Sequence, residues 1–408
     1  METKEIVLYN LQHLKQLVFE VTDSCNLNCN YCGLSKLYDG HDERLGKKLS
    51  FEKARLVLDF IFSIRDYSKD VNYPINISFY GGEPLLNMKL VKKIITYIRQ
   101  SKFQEVILGM TTNAVLLDKH MDYLAENKFQ LVISLDGNHN NHSYRVDHSN
   151  RNSFPRVFKN IKLLQEKHPK YFQDYVQFNS VLHNRNSVEE IYDFINHNFG
   201  KLPLISALNT VGIRKEKTEE FRKMYQNVNE SILNSSNCNS IEADMFINTP
   251  RVLNLTKYIF IHSGNVFNDF NDLIFDISGR YPKQTGTCSP FAKKMFVTVS
   301  GKILQCERIP HYFSIGKVLK DRVELNAKDI ANKQNQYSSK IISQCDRCYL
   351  NKECPQCIYN IEDICNENPE CSCFCDEKKS KKNREMTIMY LREHPEYYEK
   401  IMNDVIIK

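Results

Sequence analysis

Eleven of the fourteen cysteines fall into two tight groups, one from Cys25 to Cys32 and one from Cys345 to Cys375. That grouping constrains the fold more than any other feature. Thiols so closely spaced serve as disulfides or as metal ligands. A chain of 408 residues has length for two or three domains and a real core, so it does not need disulfide staples. Its start, Met1-Glu-Thr-Lys-Glu, lacks the basic end, apolar run and cleavage site of a secretion signal. Clustered cysteines in such a context point to metal, and the expected location is the cytoplasm. No apolar run reaches the roughly 18 residues of a membrane-spanning helix, so no membrane partner is expected.

Between the two groups, short β-rich runs alternate with longer helical patterns. Residues 17–21, 75–80, 106–111, 131–135, 176–181 and 204–208 read as buried strands, rich in β-branched and aromatic residues. Residues 51–65, 90–100, 157–165 and 188–197 read as helices. Six βα units in series imply an α/β fold with a parallel sheet and right-handed crossovers. A closed TIM barrel has eight units, so the expectation is an open, partial (β/α)6 barrel. The expected organisation is an N-terminal segment (1–16), the barrel (17–235), a bridging helical region (236–285), a small cysteine-rich domain (286–376) and a C-terminal helix (377–408). The cysteine-rich part has so little apolar periodicity that metal would have to hold it together. The basic run at 378–384 reads as a solvated helix face. The formal charge of +6 requires no nucleic-acid partner, and none is expected.

The first cysteine group, Cys25-x3-Cys29-x2-Cys32, directly follows the first strand. Loops at the C-terminal ends of barrel strands are where catalytic groups sit. Three thiolates can bind three corners of a 4Fe-4S cube and leave one iron open; a zinc site completed by a distant fourth ligand is the alternative. The next three strands also end in polar turn-forming sets: Gly81-Gly-Glu-Pro84, Thr111-Thr-Asn-Ala114 and Ser134-Leu-Asp-Gly137. Glycines at 81 and 82 would let backbone approach a ligand, and Glu83 supplies an anionic acceptor for an ammonium group.

With Tyr31 before the last cysteine and GGEP after the second strand, the sequence resembles the radical S-adenosylmethionine (SAM) superfamily. The resemblance implies that Cys25, Cys29 and Cys32 bind a 4Fe-4S cluster whose open iron is chelated by SAM. It implies that Tyr31 lies at the cofactor and that Gly81, Gly82 and Glu83 meet the methionine amine. Asn113 and Ser134 would face the cofactor, Ser134 at the ribose. Arg145, or alternatively Arg151, would reach the SAM carboxylate. One-electron reduction would cleave SAM to methionine and a 5′-deoxyadenosyl radical that takes hydrogen from substrate.

The second group reads Cys288, twelve residues, Gly301, four residues, Cys306, then Cys345-x2-Cys348-x5-Cys354-x2-Cys357, with Cys365, Cys371, Cys373 and Cys375 beyond. Alone it would suit a pair of zinc sites. Behind such a barrel it is similar to a SPASM domain, extending the resemblance from about residue 17 to 376. That implies a nearer auxiliary cluster on Cys288, Cys306 and Cys357. It implies an outer one on Cys345, Cys348 and Cys354, with a fourth ligand from Cys371, Cys373 or Cys375. Cys373 and Cys375 are carried as metal ligands, for three 4Fe-4S clusters in all. Two departures stand out. Only Pro355 and Gln356 separate Cys354 from Cys357, where the family has three residues, and no cysteine closely follows Cys288. The nearer cluster would then keep an open iron unless Cys365 or a late cysteine fills it. Cys238 stands alone and receives no role.

The layout resembles maturases of ribosomally made peptides, in particular the GG-Bacteroidales subgroup, through residues 17–29 and 301–308. A precursor peptide is the implied substrate, cross-linked or otherwise modified, and a flavodoxin or ferredoxin the implied electron donor. Only 24 residues precede Cys25, so leader recognition is expected from a separate protein, another surface or an N-terminal part missing from this sequence. The alternatives are an anaerobic sulfatase-maturating enzyme, which converts cysteine or serine to formylglycine, and a zinc-binding interaction module without catalysis. No catalytic base is assigned; Asp269, Asp272 and Asp276 are candidates by location only.

Overall fold

The computed structural model describes residues 1–66, 73–101, 103, 105–262, 285–351 and 354–405. Asp269, Asp272 and Asp276 lie outside the described residues. The chain forms two compact units. One comprises Glu2–Ser231 and Ser289–Asn332, the other Ile232–Cys288 and Lys333–Lys408 together with Met1.

In the first unit, helix α1 (Lys4–Gln12) precedes strand β1 (Gln16–Thr22), and βα alternation follows. The series runs α2 (Phe51–Asp66), β2 (Ile75–Gly81), α3 (Met88–Gln100), β3 (Val106–Thr112), α4 (Met121–Glu126) and β4 (Gln130–Ser134). It continues through α5 (Phe154–Lys167), α6 (Pro169–Tyr175), β5 (Val176–Val181), α7 (Val188–Phe199) and β6 (Pro203–Ser206). The six strands pair in parallel in sequence order. This is the partial barrel that the periodicity implied, with strand and helix limits shifted by a few residues. Both faces of β1 are buried from Leu17 to Thr22, as a parallel strand covered by helices requires. Phenylalanines seal the far wall: Phe178 stacks on Phe199 with ring centroids 4.7 Å apart, and Phe154 on Phe158 at 5.3 Å.

One feature was not visible in the sequence. Strands β7 (Lys294–Val297), β8 (Lys302–Leu304), β9 (Gly316–Val318) and β10 (Val323–Leu325) continue the same sheet. β7 lies parallel to β1 in the register Gln16↔Lys294 to Phe19↔Val297, and β8 to β10 follow as antiparallel hairpins. The sheet therefore has ten strands, ordered β10-β9-β8-β7-β1-β2-β3-β4-β5-β6. Residues 289–332, placed by the sequence reading in the cysteine-rich segment, are counted with the barrel because they cover its β1 edge. Covering that edge satisfies backbone groups that an open barrel leaves unpaired.

The second unit contains helices at Cys238–Met245, Pro250–His262, Glu377–Glu393 and Pro395–Asp404. The bridging region is helical where described. Val252, Leu255, Ile259 and Ile401 form its core, and the Arg251 guanidinium lies 4.7 Å from the Tyr390 ring centroid while pairing with Glu242 at 3.1 Å. No helix among the described residues is long and apolar enough to cross a membrane.

Candidate active site and cysteine centres

The loop after β1 carries Cys25, Cys29 and Cys32 at the C-terminal end of the sheet. Its path is fixed by backbone bonds: Asn28 N–H donates to Val146 O at 2.7 Å and Asn30 N–H to Tyr144 O at 3.1 Å. Burial pushes the Cys25 thiol up to about 11 and the Cys29 thiol up to about 12, and each of the two also feels the charge of Cys32. Iron ligation needs these thiols as thiolates, so filling the site releases protons. Among the described residues no three His, Cys, Asp or Glu side chains converge as a single-ion site.

The second strand end braces this loop. Gly82 N–H donates to Thr22 O and Glu83 N–H to Ser24 O, both at 2.9 Å. Gly81 has φ +136, and a Cβ there would lie 2.2 Å from Thr22 O; one on Gly82 would lie 2.0 Å from Ser24 O. A side chain at either position would collide with the backbone leading to Cys25, so glycine lets the two strand ends lie against each other.

Glu83 is buried and accepts three hydrogen bonds: from Leu85 N–H at 3.1 Å, Thr112 Oγ1–H at 2.7 Å and Asn113 N–H at 2.7 Å. Burial raises its carboxyl to about 7, against the pull of those donors. Glu83 thereby ties the ends of β2 and β3 together. Asn113 continues the chain of contacts: its Nδ2 donates to Asn26 Oδ1 at 2.7 Å and lies 3.6 Å from Cys25 Sγ. Ser134 is half-buried at the end of β4, opposite Asn179 of β5.

Tyr31 and Arg145 meet elsewhere. The Tyr31 hydroxyl donates to the Asp136 carboxylate, and Arg145 forms a two-pronged pair with the same group, Nε to Oδ2 at 2.9 Å and Nη2 to Oδ1 at 3.0 Å. His183 Nε2 lies 3.8 Å from Asp136 Oδ2, and Val181 N–H donates to Oδ1 at 2.9 Å. Asp136 and His183 are fully buried. Burial alone would raise the Asp136 carboxyl, but the Arg145 charge and the His183 contact outweigh it and hold it well below the usual range. Arg145, expected at a ligand carboxylate, thus spends two donors on Asp136. Arg151 makes an exposed pair with Asp147 at 2.8 Å. Asp136 was visible in the sequence only as part of a turn; its partners come from three separate loops.

Buried polar atoms without hydrogen bonds crowd the same mouth: Asp23 Oδ1, Asn26 Nδ2, His41 Nδ1, and Arg44 Nε and Nη2. Native interiors leave few such atoms, so this concentration marks a place built for a polar ligand. The thiol set, the glycine cradle and these orphaned atoms together fit an iron–sulfur cluster and a polar cofactor.

In the second unit, Cys345 ends the helix Ala327–Asp346. Burial raises its thiol to about 11, with the charges of Cys354, Cys371 and Cys348 adding to the rise. Gln344 fixes Cys371 there, accepting from Cys371 N–H at 3.0 Å and donating to Pro369 O at 2.7 Å. Cys373 Sγ instead donates to Gln356 Oε1 at 3.0 Å, and Cys375 Sγ points to Asp376 O at 3.6 Å while its N–H meets Cys348 Sγ at 3.4 Å. Cys357 lies close enough to Cys288 to feel its charge. Thr287, beside Cys288, accepts from Ile358 N–H at 2.7 Å. Cys365 is exposed, and Cys238 is half-buried on its own helix.

Residues 19–198 match the model of the radical SAM superfamily. A radical SAM cyclopropyl synthase of Paramaledivibacter caminithermalis is 25% identical over 210 residues, which are 48% of this chain and 42% of that protein. A cysteine-type anaerobic sulfatase-maturating enzyme of Clostridium novyi is 25% identical over 213 residues, 50% of this chain and 54% of that protein. The chain thus spans about half the length of these curated relatives. Two solved structures share the fold over 95% of this chain and 99% of theirs: native anSMEcpe with bound AdoMet, at TM-score 0.60 and 18% identity, and the same protein with AdoMet and Kp18Cys peptide, at 0.59 and 17%.

Proposed function

The chain carries a radical SAM superfamily domain over residues 19–198, and from that premise we propose that it is a SAM-dependent oxidoreductase that modifies a precursor peptide, installing a cross-link or related change. The observation that carries this reading is the convergence at four successive strand ends: three thiols after β1, the Gly81–Glu83 cradle, Asn113 against Cys25, and Ser134. The family uses SAM and a 4Fe-4S cluster, which together supply one-electron cleavage of SAM and removal of a substrate hydrogen.

This chain's residues would do the rest. Cys25, Cys29 and Cys32 would hold the cluster. Gly81, Gly82 and Glu83 would meet the methionine amine, with Glu83 also locking β2 to β3. Asn113 would face the cofactor and Ser134 the ribose. The buried Tyr31–Asp136–Arg145 network would hold the cysteine loop rigid and exclude water from its inner side. In the second unit, Cys345, Cys348, Cys354 and Cys371 would hold one auxiliary cluster. Cys371 is favoured because Gln344, beside Cys345, accepts from its backbone N–H, while the Cys373 thiol donates to Gln356. Cys288 and Cys357 would be ligands of another. An electron donor such as a flavodoxin or ferredoxin, and a separate leader-binding protein, would complete the system.

A second reading, formylglycine formation on a sulfatase, draws support from the shared fold with anSMEcpe over nearly the whole chain. The test is 5′-deoxyadenosine formation by the anaerobically reconstituted, dithionite-reduced protein, followed by mass spectrometry of each peptide. Loss of hydrogen from a Gly-Gly-leader precursor supports the first reading. A new aldehyde on a sulfatase peptide supports the second. Zinc binding without iron overturns both.

A further inference from the structure

We propose, on the reading above that the substrate is a peptide, that the cationic face of α3 and α4 binds an acidic, extended segment of that substrate. One apolar side chain of the segment sits in a cavity at the base of the barrel.

Helix α3 is 13 residues long and carries Lys89, Lys92, Lys93 and Arg99 but no acid. Its isoleucines and Val91 are buried, and all four cations stand on the exposed face. Surface helices commonly pair such charges with acids three or four positions away, and α3 has none. Lys92 and Lys93 lie instead over the rings of Tyr123 and Phe51, at 4.6 and 6.0 Å. Lys119 and Lys128 are exposed at the two ends of α4. Burial first, then the charges of Lys92 and Lys119, hold the His120 imidazole below its usual range. Acids on neighbouring elements are engaged elsewhere: Asp59 pairs with Arg55, Asp118 with Arg156, and Asp122 with Lys167 and His168. Among the described residues, Glu126 is the one acid of α4 outside an ion pair, against six cations on this face. Cations gathered without counter-charges attract an anionic partner.

Because α3 follows the Gly81–Glu83 turn, it runs from the cysteine end of the barrel to the opposite end. There lies a cavity of about 590 Å³. Ile95, Ile98, Val106, Leu108 and Tyr175 give it apolar walls, Arg99 and Lys128 give it positive charge, and none of its described lining residues is acidic. Arg99 is aimed by Asn127, whose Oδ1 accepts from Nη2 and whose Nδ2 donates to Tyr123 O at 2.7 Å. Lys128 is fixed by its backbone. It closes α4 in the left-handed region, φ +51, with Lys128 N–H donating to Ala125 O at 3.0 Å and Phe129 N–H to Leu124 O at 3.1 Å. Helices that end this way usually have glycine at that position, since a Cβ disfavours left-handed backbone. A lysine held there against that preference, beside a second cation on one cavity, points to binding.

The dimensions suit an extended peptide. The 13 residues of α3 span about 20 Å, which an extended chain covers in about six residues. Acidic side chains along it would meet Lys89, Lys92 and Lys93. At the far end the cavity would take an apolar side chain, with a neighbouring carboxylate on Arg99 and Lys128. A nucleic-acid strand would leave the aliphatic walls empty, because its charge lies in its backbone and its bases stack on aromatic platforms.

The test is fluorescence anisotropy of the full chain with labelled synthetic peptides of about 12 residues, twice the span of α3. One is glutamate-rich with two leucines, a second has glycine in place of leucine, and a third has lysine in place of glutamate. The first should bind about tenfold or more tightly than the other two and weaken as salt rises. Replacing the two lysines together, Lys92→Gln with Lys93→Gln, should weaken it by about 3- to 10-fold. Lys128→Gly is the sharper probe. It should weaken binding by about 3- to 10-fold while raising the urea midpoint, because glycine relieves the left-handed residue. A lysine with only a structural role would not lose binding as stability rises. Equal affinity for the leucine and glycine peptides, or unchanged affinity in both variants, overturns the proposal. Tighter binding of a labelled single-stranded DNA than of any peptide overturns it as well. Peptide binding that responds to the variants, in a protein that forms no 5′-deoxyadenosine, would leave this surface standing and defeat the functional reading instead.

Discussion

Replacing Glu83 by glutamine removes one oxygen and one ionisable group from a fully buried site. The carboxylate now satisfies Leu85 N–H and Thr112 Oγ1–H through one oxygen and Asn113 N–H through the other. A glutamine can keep its carbonyl toward Leu85 and Thr112 and must then aim its NH2 group at the Asn113 N–H. One buried backbone donor loses its acceptor, at a cost of about 1–3 kcal/mol. Hydrogen–deuterium exchange across residues 112–115 should therefore speed up by roughly 5- to 150-fold in Glu83→Gln. The pH dependence gives an independent check. Burial lifts the Glu83 carboxyl from its ordinary 4.5 to about 7, so the folded state favours the protonated form. Its stabilising contribution is full below pH 4.5 and is lost as pH rises through 7, a change of roughly 3 kcal/mol. The stability difference between wild type and Glu83→Gln should thus shrink between pH 5 and 8, while other titrating groups such as Glu20 cancel in the comparison. Unchanged exchange at Asn113, or a difference that stays constant with pH, would refute the account of Glu83 as a buried brace.

Three further outcomes follow from the site. Cys29→Ala should abolish 5′-deoxyadenosine formation; retained formation would mean the triplet does not hold the SAM-binding cluster. Cys348→Ala and Cys371→Ala should each lower total iron while the SAM-binding cluster stays detectable by electron paramagnetic resonance, whereas Cys365→Ala should leave iron unchanged; equal iron loss in all three would contradict the grouping around Cys345. Asp136→Asn should destabilise the first unit by about 3–5 kcal/mol in urea denaturation, because it strands the buried Arg145 guanidinium; a shift below about 1 kcal/mol would show that Arg145 finds another partner.

Periodicity and strand-end chemistry were enough to read the barrel. Each strand from β1 to β6 is a short apolar run whose limits are set by local composition. The thiol triplet and GGEP stand out for the same reason, since each is a contiguous pattern at the end of a strand. A bidentate pair such as Asp136 with Arg145 leaves no such trace. Its members are nine positions apart in an irregular loop, and Tyr31 and His183 join them from other loops. Arg44 likewise reads as one charge in a polar stretch, Asp39-Gly-His-Asp-Glu-Arg44.

By itself, then, the sequence determined the αβ alternation and the six parallel strands, since these depend on neighbours in the chain. Only the tertiary structure decided that residues 289–332 extend the barrel sheet at β1, that Gln344 holds the Cys371 backbone beside Cys345, and that Arg145 pairs with the buried Asp136. Those outcomes depend on which distant groups satisfy one another's hydrogen bonds and charges once water is excluded, and burial settles that competition only when the chain has folded.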